Sequence, residues 1–171
     1  MKSVNTANVV NVVQSFRDNL AQLRTPLSAK LPYKKVAPTL SFVDILAKHA
    51  VPENLLNLNG TQLADVVVQL FNVVEQRISE VHSQYIDLPG EEYGILVCNC
   101  VDAPYLFDSL LLFLKRHHID WSVVAHLCLL VERDGNTVIS INDAEQNCAE
   151  ESVMIVQIEK NSCSAKRVGK I

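Results

Sequence analysis

The sequence predicts an α+β fold in which N-terminal helices precede a small sheet. Three observations carry this expectation. Through the first 90 residues apolar side chains recur at spacings of three and four, the period of a helix face. After the turn signal Pro89-Gly90 the pattern changes to short runs rich in β-branched and apolar residues. Within that second half only residues 102–115 return to helical spacing, so the order is strand, helix, strand, strand, strand.

The first element is outlined by Val9, Val10, Val12, Val13, Phe16, Leu20 and Leu23, which form one amphipathic stripe. Valine is a poor helix former, so packing must hold that face. Residues 25–38 contain three prolines and lysines at 30, 34 and 35, and read as a linker. A helix over about 41–49 follows, capped by Ser41 and presenting Phe42, Ile45 and Leu46, with Pro52 just past its end. Thr61 caps a longer helix through about residue 79, whose stripe is Leu63, Val66, Val67, Leu70, Val73 and Val74. The helical region is thus expected over 1–90.

Residues 93–100 then read as a strand, and 102–115 as a helix presenting Leu106, Phe107, Leu110, Leu111 and Leu114. Residues 121–131 form a long strand. Asp134-Gly135 or Gly135-Asn136 turns it into a strand over 137–141, and 152–158 is the last. A helix joins the first two long strands, so these run parallel or are split by another strand. Both faces of 121–131 are apolar: Trp121, Val123, Ala125, Leu127 and Leu129 on one, Val124, Cys128 and Leu130 on the other. Such a sheet needs cover on both sides, from the N-terminal helices or a partner chain.

The chain has 171 residues and a formal net charge of −4, enough length for a core and no basic face for nucleic acid. The one basic run, Lys166, Arg167 and Lys170, lies in a short tail over 161–171. Five cysteines (98, 100, 128, 148 and 163) match no disulfide framework. The opening residues predict no secretory leader, and no apolar stretch is long enough for a bilayer. The expectation is a reduced, cytoplasmic chain without a membrane or nucleic-acid partner.

An ordered series of motifs adds a family resemblance. Asp102, Pro104, Phe107-Asp108-Ser109, Arg116-His117 and His126 follow one another, and the hairpin at 131–135 and Glu151-Ser152 continue the series. Before them come the run from Val51 to Leu55, Leu63-Ala64-Asp65 and Glu75-Gln76-Arg77. Over roughly residues 40–160 this resembles the N-terminal region of the large bacterial NAD-specific glutamate dehydrogenases. The resemblance implies an ACT-like (ferredoxin-like) βαββαβ unit over 91–160, serving regulation or assembly. NAD and the dehydrogenase chemistry would belong to the parent enzyme. The implied partners are the remainder of the dehydrogenase or a second copy, and a small amino acid. After Ile158 the family expects a second helix and a further strand. Ser162, Ser164 and Gly169 break any periodic pattern there, so the unit is expected to be incomplete, with an edge or face needing cover.

The chemistry-bearing motifs favour bland readings. Five isolated glycines (60, 90, 94, 135 and 169) leave no dinucleotide loop, and the turn after the first strand reads Asp102-Ala103-Pro104-Tyr105. No cofactor is expected in this chain. Asp102 could accept from a ligand amine while helix-start amides meet its carboxylate. The favoured reading makes Asp102 a helix cap with Pro104 in the first turn. Asp108-Ser109 lacks the surroundings of a catalytic serine. Cys98 and Cys100 share a strand face, but no second pair completes a zinc site with His117, His118 or His126. The candidate ligand-binding residues are Asp102, Ala103, Pro104, Tyr105, Asp108, Ser109 and His126; no catalytic or metal-ligating residue is expected.

Overall fold

In the computed structural model, residues 18–19, 22–50, 58, 60–77, 80–144 and 150–161 are described. The elements are α1 (Arg24–Lys30), α2 (Tyr33–His49), α3 (Gly60–Glu75), β1 (Val81–Asp87), β2 (Tyr93–Val101), α4 (Leu106–Arg116), β3 (Trp121–Asp134), β4 (Thr137–Asp143) and β5 (Glu151–Glu159). Most of the amphipathic stripe expected before residue 24, the run 51–55 and the tail from 162 lie outside the described residues.

The expected linker at 25–38 is helical. Its prolines mislead because each occupies a position that a helix tolerates or offsets. Pro26 falls in the first turn of α1, where no intrahelical N–H bond is lost, and Pro32 is the residue before α2. Pro38 lies inside α2, where proline costs about 3 kcal/mol, and the burial of Phe42, Val43, Ile45 and Leu46 opposes that cost. Ser41, expected as a cap, is therefore mid-helix. α2 ends at His49 as the periodicity predicts. α3 begins one residue before Thr61 and stops at Glu75, not near 79.

A strand escaped the sequence reading. β1 lies in the stretch expected to be helical, and pairs antiparallel with β2 from Val81 against Cys100 to Asp87 against Gly94. It is an edge strand with one face largely exposed, so its sequence lacks a strong apolar alternation. The five strands run in the order β1-β2-β5-β3-β4, every neighbour antiparallel. β5 separates β2 from β3, which are consequently parallel to each other, one of the two expected arrangements. Gly135, with φ of +57°, turns β3 into β4.

α2 and α3 cover one face of the sheet, and the principal core lies between them. Phe42 of α2 and Phe71 of α3 meet edge to face at 6.2 Å. α4 lies on the other face over Val156, Ile158 and Trp121, with Leu114 its one fully buried side chain. The sequence-derived faces of β3 need correction. A bulge between Val123 and Ala125 changes the parity, so Trp121 joins the α4 side while Val124, Ala125, Leu127 and Leu129 all enter the principal core. Among the described residues no second helix lies beside α4, and no helix is long and apolar enough to cross a membrane.

Candidate functional site

The turn from β2 into α4 carries four of the seven candidate residues. Asp102 is tied to the sheet by its backbone N–H, which donates to Glu150 O at 3.1 Å. It does not cap α4, and Pro104 does not enter its first turn. The residue before α4 is Tyr105, held at φ of +64° with no side-chain cap. A left-handed backbone costs a residue with a Cβ about 1 kcal/mol or more. The turn therefore stores backbone strain at Tyr105. Ala103, Pro104 and Tyr105 are exposed, and Asp102 is half-buried.

His126 of β3 forms the floor beside this turn. Its ring stacks on Phe107 of α4 at 4.7 Å and 18°, and its Nε2 is 2.8 Å from Ser152 Oγ. Burial lowers the His126 pKa, opposed by the nearby carboxylates of Asp102 and Asp108. The neutral imidazole is thus the favoured form, framed by two negative charges. Ser152 is fully buried in β5, so the Ser152–His126 contact is a core hydrogen bond and offers no nucleophile to solvent.

Three thiols share this face of the sheet. Cys98, Met154 and His126 align across β2, β5 and β3, as do Cys100, Ser152 and Cys128 one step along. Burial, with the neighbouring Cys100, pushes the Cys98 thiol up to about 11. Burial raises Cys100 and Cys128 as well. Protonated thiols are poor nucleophiles and poor metal ligands. Among the described residues no group of three His, Cys, Asp or Glu is placed to hold a metal ion.

Asp102, Asp108 and His126 are brought together; Ser109 is not. It faces a groove of about 530 Å³ between α4 and strands β1 and β2. Tyr85, Leu96, Leu110, Phe113 and Ile158 supply the apolar wall, and none of the lining side chains is an acid or a base at neutral pH. Tyr85 lies over Gly94, where any Cβ would collide with its ring. Phe113 remains 39% exposed there although α4 is otherwise seated on the sheet.

The helix-covered face holds a buried ionic cluster that sequence reasoning missed. Glu151 accepts from Arg77 Nη2 at 2.8 Å, from Asn99 Nδ2 at 2.8 Å and from Arg133 Nη2 at 2.9 Å. Arg133 also donates to the carbonyl oxygens of Val74 and Glu75, closing the end of α3 onto the sheet. Burial would raise the Glu151 carboxyl, but hydrogen bonds from Arg77, Asn99 and Arg133 outweigh it and hold it below the ordinary carboxylate value. Seventy-four residues separate Arg77 from Glu151, so no local spacing announces the pair.

A family model described as glutamate dehydrogenase, ACT1 domain, matches residues 42–169. Neither the curated proteins nor the solved structures give a match.

Proposed function

The chain belongs to the glutamate dehydrogenase ACT1 domain family, and from that premise we propose that it serves as the non-catalytic assembly and regulatory segment of a bacterial, NAD-specific glutamate dehydrogenase. The parent reaction converts L-glutamate, water and NAD to 2-oxoglutarate, ammonia and reduced NAD in the cytoplasm. In this reading NAD and glutamate chemistry belong to the remainder of the enzyme, and this chain supplies surface. The observation that carries it is the half-covered α4 face: an apolar groove flanked by exposed Phe113 invites cover from the remainder of the dehydrogenase or a second copy.

A second reading, an amino-acid sensor at the 101–106 turn, draws on the carboxylates of Asp102 and Asp108 beside the Phe107–His126 stack. A ligand amine would be met there by negative charge.

The expected behaviour is that the purified chain alone reduces no NAD with glutamate, and that light scattering detects its association with itself or with the separately prepared remainder. Phe113→Glu should abolish that association with unchanged circular dichroism. Glutamate-dependent NAD reduction by the chain alone would sink the non-catalytic reading. Failure of the wild-type chain to associate with either partner would sink the assembly reading.

A further inference from the structure

We propose that the outward face of α4 is covered by the α4 of a second copy of this chain, packed antiparallel about a two-fold axis that passes beside Leu112. The proposal rests on the assembly reading and commits it to one occupant.

The middle of α4 is apolar on every side. Leu110, Leu111, Leu112, Phe113 and Leu114 are consecutive, and such a run circles the helix. The sheet takes only the side that carries Leu114. Leu112 is left 48% exposed, with exposed Phe113 next to it. A helix that is apolar all round is a helix that becomes buried all round.

The charges that flank Leu112 fit a second copy. Asp108 lies four residues before it and Arg116 four residues after, and spacings of four keep the three on one face. Both charged side chains are exposed, and they stand about 12 Å apart along the helix, too far to pair with each other. Neither has an ion pair among the described residues. A two-fold axis beside Leu112 sets Asp108 of each copy opposite Arg116 of the other, and the two Leu112 side chains against each other. Both charges of both copies are answered at once. A parallel pairing would set Asp108 against Asp108 and Arg116 against Arg116. Antiparallel helix dipoles favour the same choice. An isologous interface requires a patch that complements itself, and Asp108, Leu112 and Arg116 form one. A heterologous partner such as the remainder of the enzyme would need no such symmetry of charge about Leu112.

The test is sedimentation velocity with light scattering on the full chain over a concentration series, with Asp108→Lys and Arg116→Glu made separately. The wild type should self-associate as its concentration rises. Each variant places like charges at both contacts and should self-associate roughly tenfold or more weakly, with unchanged circular dichroism. An equimolar mixture of the two variants should associate about as tightly as the wild type, because each contact then joins opposite charges. Leu112→Glu should abolish self-association by setting two carboxylates at the axis. The proposal is overturned if the mixture associates no more tightly than either variant alone, or if Leu112→Glu self-associates like the wild type. A wild-type chain that binds the remainder of the enzyme but not itself overturns this proposal and leaves the assembly reading standing; one that binds neither overturns both.

Discussion

A carboxylate that is only 3% exposed costs several kcal/mol to bury without partners, and Glu151 occupies such a position because two guanidinium groups and an amide converge on it. Replacing it by glutamine would leave Arg77 and Arg133 facing a neutral group. Glu151→Gln is expected to lose about 3–5 kcal/mol of stability in denaturant unfolding at neutral pH. The pH dependence follows from the direction of its shift. The folded pKa lies below the ordinary value of 4.5, so the native state favours the ionised carboxyl. Its contribution is fully present above 4.5 and fades as pH falls through the folded value. The wild type should therefore lose stability steeply on acidification below that point, and Glu151→Gln should show a shallower loss. Parallel curves for the two proteins would contradict this account. His126 is a different case at the same scale. Its depressed pKa comes from burial, so the carboxylates beside it moderate the shift without reversing it.

Among the elements, α3 and α4 contrast in how they are held. α3 buries nine residues against the sheet and α2, from Leu63 through Glu75, and Arg133 closes its last turn. α4 buries only Leu114 fully and begins from a strained turn at Tyr105. Local opening free energy follows buried apolar contact, so α4 is the element expected to open first. Native-state hydrogen exchange should show α4 amides exchanging at a lower free energy than those of α3, which should approach the global value. Equal protection of the two helices would refute the ranking. The α2 register was partly legible for a related reason. Its C-terminal stop and apolar stripe are local properties of the chain, whereas its start lies among Pro32, Lys34 and Lys35, where local preference argues against a helix. Packing of Phe42, Ile45 and Leu46 overrides that preference.

Across the whole molecule, one core cluster draws on α1, α2, α3 and all five strands, from Leu23 to Ile155. Helices and sheet share that core, so they are expected to unfold together, as one calorimetric transition whose van't Hoff and calorimetric enthalpies agree. Two resolved transitions would show that the helical layer and the sheet are separate units. The sequence by itself determined the α+β class, the helix between the first two long strands, the hairpin at Gly135 and the need for cover on both sheet faces. Each rests on periodicity or turn chemistry over a few residues. The ordered motif series pointed to the N-terminal region of a glutamate dehydrogenase as well, and the match over 42–169 supports it to that level. Only the tertiary structure decided the rest. β1 becomes a strand because β2 offers it an open edge, and the β3 bulge exchanges faces in response to packing on both sides. Asp102 and Asp108 gather beside His126 while Ser109 turns toward the groove, and Glu151 finds Arg77 across most of the chain. Those outcomes depend on pairings between residues far apart in sequence, whose energies no local pattern encodes.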